Sequence, residues 1–389
     1  MSVPSCRSTV ISTTPSPDDA GGTAEDHGCP TYRGVASMRL INTRTLELQE
    51  FFGTEIPEYA ALSHTWILGK EVSYKEMTTL DPTCRAKEGY QKILNTCAIA
   101  AREKIEYAWI DTCCIDKSSS AELSEAINSM YNWYRRCKAC YAYLPDLRPD
   151  DPGTSKHEAL KRCRWFKRGW TLQELIAPKQ LVFYDGNWKP YGTKESLVED
   201  LSAITRISQN ILTGEEELSS VSVAQKMSWA AGRKTTRIED TAYCLLGIFE
   251  TNMPLLYGEE GRAFRRLQEQ ILLTVHDLSV FAWKRPDSLP RDESERVYCG
   301  VLADSPALFA ECGSYIKKSP YIRQQIHAAN GGITTRVQLL IELVRETGGY
   351  RYSMSAPDPS DRFGDQKRDP LSGLVALNLG RSRPLGEMN

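Results

Sequence analysis

Glu174 is the one carboxylate in the stretch RCRWFKRGWTLQEL, residues 162–175, where it follows Trp165, Trp170 and the basic residues Arg162, Arg164, Lys167 and Arg168. A lone acid in such a run has two uses. It can be an anion near a helix start, stabilised by the arginines and the helix dipole. It can also work from a partly dry pocket, walled by tryptophan, on a cationic or cation-forming substrate. A second constellation is Cys113 and Cys114 with His64 and Asp111. A thiol such as Cys114, a histidine base and an orienting aspartate have the residue types of a Cys-His hydrolase. Metal chemistry is poorly supported. Cys137 and Cys140 form a C-x-x-C, but no second Cys or His pair follows to complete a zinc site. Nor is a phosphate-binding loop present at Lys70, since His64 occupies the position of the required first glycine and neither Ser nor Thr follows the lysine.

These residues need elements to carry them. YAALSHTW (59–66), YAWIDTCCI (107–115), ACYAYL (139–144) and QLVFYDG (180–186) read as strands, as does MRLINTRTLEL (38–48). Between them, Tyr90, Ile93, Leu94, Cys97, Ala101 and Ile105 recur at helical spacing, as do Leu123, Ala126, Ile127, Met130 and Tyr134 behind the serine caps of SSSAE. Alternating strands and helices imply crossover connections and a mainly parallel sheet of about five strands, flanked by helices. Such sheets bind ligands beyond the carboxyl ends of their strands. His64 and Asp111 follow two of those ends, so they are expected to share one rim with Glu174. After about residue 200 the strand signals fade: VAQKMSWAAG, EDTAYCLLGIF and GRAFRRLQEQILL read as helices, giving a helical extension. The expected organisation is a disordered tail over 1–36, an α/β core over 37–200, helices over 201–285 and a partly disordered region of unknown role over 286–389. Within that last region RVQLLIELV fits either a strand or a helix.

Composition narrows the function classes. Forty-eight Lys and Arg against 50 Asp and Glu leave a net charge of −2, which offers no basic field for a nucleic acid. The proline-broken opening lacks the apolar core of a signal peptide, and no run approaches the length of a membrane span. Twelve cysteines spread over 389 residues then fit a reducing cytosol better than a disulfide framework.

Five stretches, taken in order, carry a resemblance. YAALSHTW (59–66), YAWIDTCCID (107–116), INSMYNWYRRCKACYAYL (127–144), RCRWFKRGWTLQELIAP (162–178) and EDTAYCLLGIFETNMPLLYGEEGRAFRRLQEQIL (239–272) resemble the fungal heterokaryon incompatibility domain. One local departure is the run ILGKEVS after Trp66, where family members commonly continue with glycine. The resemblance implies a role in vegetative incompatibility, the non-self recognition that ends in programmed cell death, with an unidentified recognition protein as partner; the domain would act either by chemistry of its own or as a noncatalytic module that recruits a downstream death effector. The family is similar in turn to TIR domains, flavodoxin-like modules that act when clustered and some of which hydrolyse NAD. That likeness implies self-association, NAD as a substrate rather than a cofactor, and a catalytic Glu174, because Trp170, Glu174 and Leu175 match the W, E and L of the TIR motif while Thr171 replaces its cysteine. His64 and Asp111 would assist, and Trp66, Trp165, Trp170 and Arg168 would hold the dinucleotide. No cofactor, metal or membrane is implied.

Overall fold

Strand propensity and turn chemistry divide the N-terminal half more finely than the hydrophobic pattern suggests. The computed structural model describes residues 37–79, 82–149, 153–275, 277–284 and 301–315, with the backbone of four strands between 325 and 355. The expected tail over 1–36 and most of the expected region over 286–389 lie outside the described residues. Seven strands form the main sheet: β1 (Ser37–Asn42), β2 (Leu48–Phe52), β3 (Tyr59–His64), β4 (Tyr107–Trp109), β5 (Ala139–Tyr143), β6 (Leu181–Tyr184) and β7 (Pro190–Thr193). Their order is β2-β1-β4-β3-β5-β6-β7. The middle pairings, β4 with β3, β3 with β5 and β5 with β6, are parallel. The outer pairings are antiparallel.

The expectation of five mainly parallel strands is therefore corrected to a mixed sheet of seven with a parallel centre of four. Its cause is local. MRLINTRTLEL is not one strand: Asn42 Oδ1 accepts from the backbone N–H groups of Arg44 and Thr45, at 3.0 and 3.1 Å, and turns the chain into a hairpin. Leu46 closes the turn at φ 62°. At the other edge Asp185 accepts from Asn187 and Lys189 N–H, at 2.8 and 2.9 Å, so that β6 returns as β7.

Helices connect the parallel strands. They are α1 (Tyr74–Thr78) and α2 (Glu88–Arg102) between β3 and β4, then α3 (Ser120–Arg136) between β4 and β5. Next come α4 (Lys156–Arg162) and α5 (Thr171–Ile176), before β6. Helix α3 begins where SSSAE predicts, with Ser119 Oγ accepting from Glu122 N–H at 3.3 Å. Helix α2 buries Ile93 and Cys97 as expected, but its inward face also holds Lys92 and Thr96, while Ala101 is exposed.

The helical extension comprises α6 (Val198–Thr205), α7 (Gln209–Thr213), α8 (Val223–Ala230), α9 (Asp240–Tyr243) and α10 (Arg262–Thr274). EDTAYCLLGIF supplies only the four residues of α9; the remainder is turns that are nonetheless largely buried. Leu201, Met227, Leu245 and Leu267 from this region join Leu62, Trp109 and Phe183 of the sheet in one hydrophobic core. Farther on, Gln325–Ala329 pairs with Gly332–Arg336, and Leu340–Glu346 with Gly349–Ser355, each as an antiparallel hairpin. RVQLLIELV thus contains a strand.

Candidate functional site at the carboxyl edge

Successive residues of a strand point to opposite faces, and β3 uses that rule at its end. Ser63 faces the side covered by α3 and α5, and His64 the side covered by α2. Two separate polar clusters result.

The first holds Glu174. Helix α5 is one and a half turns long and buries every residue. Its start is clamped from the helical extension: Gly169 N–H donates to Lys234 O at 2.9 Å, and Lys234 N–H to Lys167 O at 2.7 Å. Gly169 is required there, because a Cβ would lie 2.5 Å from Thr235 Cγ2. Glu174 is 6% exposed. Trp165 Nε1 donates to Ser63 Oγ at 2.8 Å, and Ser63 Oγ donates to Glu174 Oε2, forming a buried chain. Burial pushes the Glu174 carboxyl up to about 8; Asp111 adds to the rise, while the Ser63 hydrogen bond and the charges of Arg233 and Arg168 oppose it. At neutral pH the group is mostly protonated.

The second cluster centres on His64. Lys92, 4% exposed, donates to His64 Nδ1 at 3.0 Å, to Thr65 O at 3.2 Å and to Glu71 Oε1 at 2.5 Å. Since the ammonium only donates, Nδ1 accepts, and Nε2 carries the proton that goes to Asp111 Oδ1 at 3.2 Å. Asp111 Oδ2 also accepts from Trp66 Nε1 at 3.0 Å. Burial raises the Asp111 carboxyl, but the hydrogen bonds from His64 and Trp66 and the charge of Lys117 outweigh it, leaving the net shift downward. Glu71 Oε1 further accepts from Ile67 N–H at 2.9 Å. The loop over 65–71 is thus tied to α2 by one buried ion pair.

Outside this cluster the edge is open. Trp66 is 44% exposed with the Lys117 ammonium 3.9 Å from its ring centroid, and Leu68 is fully exposed. Arg164 Nη2 donates to Trp66 O at 2.7 Å.

The expected site therefore comes together only in part. His64, Asp111 and Trp66 meet at the carboxyl edge. Glu174 does not join them on one open rim, because it lies under the opposite sheet face. Both imidazole nitrogens of His64 are occupied. Trp165 is fully buried and serves Ser63, so it cannot stack on a ligand. Trp170 is half-buried and hydrogen-bonded to Asp240. Arg168 donates to Thr236 Oγ1 at 3.2 Å. Cys114 is turned into the core, where its thiol accepts from Ile110 N–H at 3.4 Å and burial pushes it well above its ordinary range. No hydrogen bond joins it to His64 among the described residues, which removes the geometric basis for a Cys-His pair. Native protein treated with iodoacetamide should leave Cys114 unmodified until denaturant is added, as peptide mass spectrometry would show; rapid native labelling would return it to candidacy. Sequence reasoning missed Ser63, Lys92 and Glu71. No cluster of metal-ligating residues occurs among the described residues, and none of their helices is long and apolar enough to cross a membrane.

Comparison with known proteins agrees with the sequence motifs. Residues 59–156, from β3 to the first residue of α4, match the heterokaryon incompatibility protein family, and residues 262–327 match a second family described only as a domain of unknown function. The vegetative incompatibility protein HET-E-1 of Podospora anserina is 46% identical over 260 residues, covering 64% of this chain. The chain spans about a fifth of that relative, 19% of its length. No solved structure matches. With its β3-to-α4 segment matched to the family and 260 residues aligned with an incompatibility protein, the chain carries a heterokaryon incompatibility domain.

Proposed function

We propose that this chain acts in vegetative incompatibility as a cytoplasmic signalling module, in which the loop at the carboxyl edge engages a recognition partner and the engaged domain triggers cell death. The observation that carries the noncatalytic form of this reading is the enclosure of Glu174. A carboxylate that stabilises a ribosyl cation must be ionised and in reach of substrate. This one is buried, held by Ser63 and mostly protonated at neutral pH. NAD cleavage at Glu174 is the enzymatic alternative. The exposed Trp66 and Leu68, by contrast, offer apolar contact area on a loop whose base is fixed. Self-association through the domain belongs to the same proposal.

Inducible expression in a filamentous fungus, with cell death and cellular NAD followed together, tests it. Leu68→Asp changes a side chain that touches no core, so folding is unaffected while killing falls by roughly tenfold or more if Leu68 is a contact residue. Glu174→Gln is expected to kill as well as wild type, with NAD unchanged in both. Loss of killing by Glu174→Gln together with a wild-type fall in NAD would replace the module by the enzyme.

A further inference from the structure

A cavity of about 180 Å³ lies between α8, the start of α10 and residues 304–307. An apolar cavity of about 150 Å³ admits benzene, so this one accepts a single ring with a small substituent. Ile238, Phe264 and Pro306 provide apolar wall. The polar wall has one sign at its base. Arg233 donates from Nε to Trp229 O at 3.2 Å and from Nη1 to Arg168 O and Thr171 Oγ1 at 2.9 and 3.0 Å. Among the described residues no hydrogen bond is made by its Nη2, and no carboxylate lies within ion-pair distance of the guanidinium. The guanidinium is partly buried, and burial lowers its pKa, so an anion at its unbonded edge would offset that desolvation. Gly261, which also lines the cavity, is the N-cap of the thirteen-residue α10 and brings no side-chain cap, so the positive end of that helix adds to the field.

The remaining polar side chains of the wall set the kind of anion. Thr241 also lines the cavity, but Thr235 gives its hydroxyl proton to Arg237 O at 2.6 Å, so Thr241 donates its own to Thr235 Oγ1 at 3.1 Å and offers no proton to an anion, which leaves Arg233 as the donor. Asp304 also lines the cavity as a negative group, 4.0 Å from Arg265, and it disfavours a dianion such as a phosphate monoester. We propose that this cavity binds a small monocarboxylate with a compact apolar body, its carboxylate on the free edge of Arg233 and its body against Ile238, Phe264 and Pro306. Through the Nη1 bonds of Arg233, an occupant would hold the start of α5, the helix that carries Glu174. The proposal does not depend on the functional reading given above.

Titration calorimetry of the full chain with benzoate and with its neutral isostere benzamide tests it. Benzoate is expected to bind with a Kd of about 1 mM, and benzamide at least roughly tenfold more weakly. Arg233→Gln should abolish the preference for benzoate. Because Arg233 also holds backbone, Ala307→Trp provides a second variant, filling the cavity from an exposed position that bears no core contact. It should eliminate binding while leaving the melting temperature unchanged. Equal affinity for the two ligands, benzoate binding that survives Ala307→Trp, or no benzoate binding at up to about 20 mM, some twenty times the expected Kd, would each overturn the proposal.

Discussion

Glu174→Gln is expected to make this protein more stable at alkaline pH and to leave its stability near pH 5 almost unchanged. The carboxyl titrates near 8 in the folded chain, well above the ordinary glutamate value of 4.5, chiefly because it is buried. Between those two pH values the folded state keeps a proton that the unfolded state has released, so stability falls as pH rises through the interval and levels off above about 8. The full effect between pH 5 and pH 9 is on the order of 4 kcal/mol. Glutamine has no proton to lose. It retains the size of the side chain and a carbonyl that can accept from Ser63 Oγ, so the cost at low pH is small. For a domain of this size the Gln variant should melt roughly 8–16 °C above wild type at pH 9 and within a few degrees of it at pH 5.

The same preparations decide the chemistry. If Glu174 is a buried structural acid, NAD turnover is alike in the two proteins. If instead it stabilises a developing cation, the Gln variant loses at least about a hundredfold in turnover. Equal pH dependence of melting in the two proteins would show that the acid titrates normally, and with it would go the argument that burial keeps Glu174 out of catalysis.

Why the sequence leads to the right edge but the wrong assembly can be seen in β3. Strand–helix alternation and the parallel-sheet rule are enough to place His64 and Asp111 beyond strand ends, and the structure has them there, joined by a hydrogen bond. The same rule is silent on faces. Ser63 and His64 are neighbours in sequence, yet they serve opposite sides of the sheet, and a single-residue alternation decides that Glu174 meets Ser63 and not His64. Motif spacing carries no such information. The extra strands were hidden for a different reason. Asn42 and Asp185 turn the chain through side-chain hydrogen bonds, and the flanking runs remain continuous in hydrophobicity. The turn after Asp185 did show a signal in its Asp-Gly pair, whereas NTRT gave only an asparagine among strand formers.

Lys92 illustrates the remaining blindness and carries the second large prediction. A lysine on an amphipathic helix reads as solvent face, so the apolar stripe drawn through Tyr90, Leu94 and Ala101 is rotated from the one the structure buries. What brings Lys92 inside is a set of acceptors that come from elsewhere in the chain: His64, Thr65 and Glu71. Lys92→Ala would leave Glu71 as an uncompensated, largely buried carboxylate whose Oε2 already lacks a hydrogen-bond partner. Removing one member of such a pair costs about 3–5 kcal/mol, which corresponds to a fall of roughly 6–20 °C in melting temperature. Adding Glu71→Gln should restore part of that loss, because the stranded charge goes while the backbone N–H of Ile67 keeps an acceptor. The coupling between the two sites, read from a double-mutant cycle, separates the ion pair from simple loss of packing. The loop is the second readout. Lys92 and Glu71 together fix residues 65–71, so trypsin should cut after the exposed Lys70 much faster in Lys92→Ala than in wild type at a temperature where both remain folded. Unchanged cleavage alongside lowered stability would mean that the pair braces α2 and not the loop. An Ala variant as stable as wild type would mean that Lys92 leaves the interior in solution, and that the hydrogen bonds fixing the His64 tautomer are not made there.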